Sequence, residues 1–129
     1  MTLILNNDEI ETVFTLDECL DVLEPALRDL GNGSADSMPR HDLLVPGPLD
    51  GSYHGLKTSC ASLPRSGVAT MRLTSDILTW PIVSGRQRRV KIPLAVGSKY
   101  VGLVFVFSTT TGELLAILSD GFIQAIRVG

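Results

Sequence analysis

Lys57 sits in the middle of Tyr53-His54-Gly55-Leu56-Lys57-Thr58-Ser59, a run with strand character. Side chains alternate along a strand, so Lys57 shares a face with Tyr53, Gly55 and Ser59, while His54, Leu56 and Thr58 face the other way. A lysine among small and apolar neighbours is drawn toward burial and then needs an anion or a chemical task. Arg40 opens an earlier strand-like run, and Arg127 falls in the last helical pattern of the chain. Cations carried on regular elements hold a small anion in a fixed pose better than cations on loops.

Other polar groups carry less. Arg86, Arg88, Arg89 and Lys91 form a basic stretch that reads as a solvated loop or hairpin, because it lacks the aromatic interleaving of a nucleic-acid groove. Arg72 and Asp76 flank Thr74-Ser75 and read as a local ion pair or turn. His41 and His54 have no cysteine or acid in helical register, so no metal site is expected. No Gly-rich dinucleotide turn, Walker loop, HExxH or GxSxG motif is present, and no bound cofactor is expected in this chain.

Charge is unevenly spread. The 129 residues carry a net charge of -3. Residues 1–31 hold Asp8, Glu9, Glu11, Asp17, Glu18, Asp21, Glu24 and Asp29 against one base, Arg28. The remainder is net basic, which directs the search for an anion site there. The acidic total argues against nucleic acid as a partner. No apolar run approaches the ~20 residues of a membrane helix, and the N-terminal Met1–Leu5 is too short for a signal segment. Cys19 and Cys60 form no CxxC spacing and read as reduced thiols of a cytoplasmic protein.

The elements that must position these groups follow from period and punctuation. Thr2–Leu5 reads as a short strand. Asn6 or Asn7 caps a brief helix, and Thr15 with Glu18 forms a capping box for a second. In that second helix Leu16, Cys19, Leu20, Leu23, Leu27 and Leu30 make one apolar face. Pro25 predicts a kink near Asp21–Leu23, and Gly31 predicts the end of the helix. Residues 31–39 are a loop. Strands are predicted over Arg40–Val45, Ser52–Ser59, Val68–Thr74 and Tyr100–Phe107, the last turning through Thr109-Thr110-Thr111-Gly112 into Glu113–Leu118. Ser119 or Asp120 caps a final helix. Helices first and meandering strands after predict one α+β domain over residues 1–129, with a mainly antiparallel sheet. Both faces of the strand ending at Phe107 are apolar, so each needs a dry neighbour, one of them another sheet, domain or subunit.

Four stretches together resemble the ornithine cyclodeaminase/mu-crystallin family. They are Tyr53–Lys57, Gly67–Asp76 with its Met71-Arg72-Leu73-Thr74-Ser75, Gly112-Glu113-Leu114-Leu115-Ala116-Ile117 and Asp120-Gly121-Phe122-Ile123-Gln124-Ala125-Ile126-Arg127. They occur in order along nearly the whole chain. The resemblance implies an N-terminal domain that binds substrate and forms a homodimer through its sheet. It also implies that a Rossmann domain holding NAD or NADP follows in the full-length parent and is absent from this chain. It places a carboxylate-gripping trio on Arg40, Lys57 and Arg127, and gives Lys57 a part in proton transfer. The implied activities are cyclodeaminase, amino-acid dehydrogenase or ketimine reductase, with a non-catalytic binding and dimerisation module as the alternative. Ornithine-specific members carry a glutamate between the positions of Arg40 and Lys57. Here that stretch offers only Asp42 and Asp50, neither in register with it. Lys57→Ala is expected to leave the fold intact, since no core volume depends on the ammonium.

Overall fold

The computed structural model describes residues 1–94, 96–97 and 101–128. In chain order the elements are β1 (Leu3–Leu5), α1 (Asn7–Val13), α2 (Leu16–Gly31), β2 (Asp36–Ser37), β3 (His41–Pro46), β4 (Tyr53–Leu63), β5 (Val68–Thr79), β6 (Ile82–Val83), β7 (Arg86–Gln87), β8 (Val90–Ile92), β9 (Val101–Ser108), β10 (Leu114–Ser119) and α3 (Asp120–Val128). Tyr100, expected to open the strand that is β9, and Gly129 lie outside the described residues.

Both early helices start where side chains satisfy their first free amides. Asn6 Oδ1 accepts from the Glu9 amide, and Glu9 Oε2 accepts from the Asn6 amide, each at 2.9 Å. Thr15 and Glu18 do the same for α2. Such reciprocal caps contribute about 1 kcal/mol each. α2 runs unbroken through Pro25 to Gly31, where Asn32 rather than Gly31 is the cap residue. Its apolar face is divided. Cys19 is buried and Leu23 half-buried, but Leu16, Leu20 and Leu27 are exposed. The helix meets the molecule along the arc of Cys19, Leu23, Ala26 and Asp29, where Arg65 from the β4–β5 turn grips the Asp29 carboxylate at 2.9 Å.

Among the described residues, eight strands form one mainly antiparallel sheet in the order β1-β10-β9-β5-β4-β2; only β1 runs parallel to its neighbour. β5 takes one edge of β4 along its length, and β3 and β2 share the other edge end to end. β9 and β8 likewise share the far edge of β5. The β4–β5 hairpin is longer than periodicity predicts, reaching Leu63 and Thr79. The added residues, Cys60–Leu63 and Ser75–Thr79, mix apolar and polar types without strict alternation, and cross-strand pairing holds them extended. The loop expected over residues 31–39 contains β2 for the same reason.

Paired residues of antiparallel strands point to the same face, so register separates the two faces. Asp42, Lys57, Thr74 and Gly102 form one row across β3, β4, β5 and β9. Asp120, the first residue of α3, lies over Gly102, where an added Cβ would come within 3.1 Å of the Asp120 Cβ. The missing side chain therefore lets α3 reach the sheet on this face. α1 braces α3 from behind, with Asn7 Oδ1 accepting from the Phe122 amide at 3.0 Å. The buried apolar residues among those described are Ile10, Cys19 and Leu78, whereas Asp29, Ser52, Lys57, Thr74, Asp76 and Asp120 are buried and polar. Four of these polar residues, Lys57, Thr74, Asp76 and Asp120, gather on the α3 side of the sheet and form the candidate site.

Candidate functional site

Three successive rows of the sheet make the site. The middle row carries Asp42, Lys57 and Thr74, the row on one side Leu44, Gly55 and Asp76, and the row on the other Ser59 and Arg72. Gly55 leaves space for the leucines that pack beside Lys57: a Cβ there would stand 3.0 Å from Leu78 Cδ1 and 3.1 Å from Leu44 Cδ2. Lys57 is 5% exposed and Asp76 1%, and Lys57 Nζ donates to Asp76 Oδ2 at 2.5 Å. Lys91 on β8 stands 3.3 Å from Asp76 Oδ1, an ion pair without the geometry of a good hydrogen bond. Burial pushes the Asp76 carboxyl up. The hydrogen bond from Lys57 and the charges of Lys91 and Lys57 outweigh it and hold the pKa below the usual aspartate range. Asp76 is therefore ionised at neutral pH and fixes the ammonium of Lys57.

Arg40 precedes β3 and is exposed, with Nε 2.7 Å and Nη2 2.9 Å from the two oxygens of Asp42. This bidentate fork orients the guanidinium. Arg40, Lys57, Ser59, Arg72 and Thr74 line one depression. Its free volume, about 10 Å³, is that of a dent and far below a substrate pocket, so further walls are needed to enclose a ligand. Arg127 lies exposed in the last turn of α3. It follows Gln124 by three residues and so shares the helix face of Asp120 and Gln124, both of which bind Arg72.

Register corrects one reading of the sequence and adds one residue to the site. Arg72 and Asp76 do not pair locally: Arg72 binds α3, and Asp76 binds Lys57 and Lys91. Asp42 lies directly across from Lys57. The signal for the first was the even spacing of Arg72, Thr74 and Asp76, which places all three on one face once the strand is extended to Thr79. The signal for Asp42 depends on which strands pair, and no local pattern carries it. His41 and His54 lie on the opposite face, where His54 Nε2 is 2.9 Å from Ser75 Oγ. Among the described residues no group of three potential metal ligands stands together. Cys19 and Cys60 are both free thiols.

No family model and no curated protein sequence matches this chain. Solved structures do. A probable ornithine cyclodeaminase from Bordetella pertussis Tohama I superposes over 99% of this chain with a TM-score of 0.69 and 21% identity. An archaeal alanine dehydrogenase dimer with bound NAD gives 0.69 over 98% of the chain at 22% identity. The fold is the one these proteins share. A Δ(1)-pyrroline-2-carboxylate reductase from Thermococcus litoralis, in complex with NADH and L-proline, extends the likeness, with a TM-score of 0.66 over 98% of the chain at 21% identity. The matched portion is 33%, 33% and 34% of those chains, so this chain spans about a third of the length of the proteins with this ornithine-cyclodeaminase-like fold. At the level of fold, the resemblance carried by Tyr53–Lys57 and the three later stretches is met.

Proposed function

We propose that this chain is the substrate-binding and dimerisation domain of an NAD(P)-dependent cytoplasmic protein acting on an amino or imino acid, of the cyclodeaminase, amino-acid dehydrogenase or ketimine reductase type. The observation that carries the reading is the depression in which Arg40 and Lys57 meet on one face of a rigid sheet. Both cations are held by carboxylates before any ligand arrives, Arg40 by Asp42 and Lys57 by Asp76, so little order remains to be imposed on binding. In this reading Arg40, Lys57 and Arg127 grip the substrate carboxylate, and Lys57 also holds or delivers a proton near the adjacent carbon. The structural likeness to NAD-bound proteins supports a dinucleotide in the full-length parent, where it would supply hydride transfer.

The described residues do not themselves fit a dinucleotide. Two strands run directly into helices, β1 into α1 and β10 into α3. Both helices open on acids, Asp8 and Glu9 in one and Asp120 in the other, where a pyrophosphate needs open amides and no negative charge. Titration of this protein with NADH or NADPH is expected to show no micromolar binding.

The site itself is tested by titrating pyruvate and L-proline into the protein and following amide shifts by NMR. Binding is expected to perturb Lys57, Ser59 and Thr74. Lys57→Met and Arg127→Ala are each expected to weaken it by about 2–5 kcal/mol, the usual loss for one partner of a desolvated charge pair. Shifts confined to other parts of the sheet, or unchanged affinity in both variants, would refute the assignment.

A further inference from the structure

Arg72 has no place in the expected trio, yet it links β4, which carries Lys57, to α3, which carries Arg127. It lines the depression with Arg40 and Lys57. From the same position its Nε and Nη2 reach Asp120 Oδ2 at 2.6 Å, and Nη2 also donates to Gln124 Oε1. Asp120 and Gln124 are one turn apart, and Arg127 lies roughly one further turn along that face at a rise of ~1.5 Å per residue. Arg72 therefore ties the helix bearing Arg127 to the strand beside Lys57 at two successive turns. Two features argue that this contact sets position and does more than sustain the fold. The α3 start is already fastened by Asn7 and seated on Gly102. The planar fork fixes direction, which a lysine at this place would not.

We infer that Arg72 is a positioning residue of the anion site: it orients α3 so that Arg127 completes the carboxylate grip begun by Lys57 and Arg40. The inference rests on the reading of this depression as a carboxylate site, and the experiment separates the two. Hydrogen exchange is measured for the α3 amides of residues 122–128 in the protein and in Arg72→Gln and Arg72→Lys. In parallel, pyruvate affinity is measured by NMR in these variants, in Arg127→Ala and in the Arg72→Gln/Arg127→Ala double variant. Arg72→Gln is expected to speed α3 exchange while β4 and β5 keep theirs. It is also expected to weaken pyruvate binding about tenfold, the loss of one charge-assisted hydrogen bond. Arg72→Lys should recover only part of that affinity. In the Arg127→Ala background Arg72→Gln should cost less than about twofold, since residues acting through one another are not additive.

Unchanged α3 exchange overturns the inference. Loosened α3 with unchanged pyruvate affinity overturns it too, reducing Arg72 to a structural latch. A full tenfold loss that persists without Arg127 shows direct contact with the anion and overturns the positioning role. If the unaltered protein binds no pyruvate at any site, the carboxylate reading fails first, and the positioning role falls with it whatever α3 does.

Discussion

Asp76→Ala is expected to destabilise the protein by about 3–5 kcal/mol, the cost of leaving a buried ammonium without its partner. Asp76 and Lys57 are 1% and 5% exposed and 2.5 Å apart, so the variant strands Lys57 in a dry environment and removes the counter-charge of Lys91 as well. Lys57→Ala should cost less, about 1–3 kcal/mol, because Lys91 at 3.3 Å still faces the orphaned carboxylate. This revises the expectation that the Lys57 ammonium is dispensable for the fold. Acid dependence follows from the same pair. The Asp76 pKa is held below its unfolded value, so its contribution is fully present above the ordinary aspartate pKa of ~3.9 and is lost as pH falls through the lowered folded value. Urea midpoints across pH 2–7 check this, since the variant should lack that part of the acid loss. If Lys57→Ala proves more destabilising than Asp76→Ala, the pair is not the anchor described here.

How much of this was legible in the sequence depends on the range over which each feature is decided. The Thr15–Glu18 cap, the β9–β10 hairpin and the helix opening at Asp120 are set by residues within a few positions of one another, and they stand where the pattern puts them. Lys57 was recognisable as a lysine in need of a partner, because its neighbours are small and apolar. The partner was not recognisable. Asp76 reaches Lys57 only because Gly55 pairs with Asp76 and Lys57 with Thr74, a register set by a hairpin whose ends lack a strict alternation of apolar and polar residues. The divided apolar face of α2 failed for a related reason. Helical spacing shows which residues are apolar together, but which part of that arc turns inward depends on the distant segments it meets, here on the side of Cys19, Leu23 and Asp29.

The other large effect concerns the sheet face away from the helices. One row across it reads Cys60, Met71, Phe105, Ile117 and Ile4 through β4, β5, β9, β10 and β1, flanked by Leu73 and Leu103. Cys60, Met71, Phe105 and Ile117 are only half-buried, and Ile4 is 69% exposed. At its margin a groove of about 390 Å³ is lined by Met38, Cys60, Ala69, Met71 and Phe107. An apolar surface of this extent is a liability for a solitary domain and suits an isologous contact with a second copy. The protein is therefore expected to run as a homodimer in light scattering at micromolar concentration. Phe105→Asp places a charge at the centre of the row. On a solvated face that charge is tolerated, so the variant should keep its circular dichroism spectrum. In a desolvated interface it has no partner, and dimer affinity should fall at least about 100-fold, ~3 kcal/mol. A parent that is monomeric and soluble, or a Phe105→Asp variant that remains a dimer, would place the contact elsewhere. Loss of the fold in Phe105→Asp would instead mean that the helices' own chain covers this face, which the Arg72–Asp120 contact on the opposite side argues against.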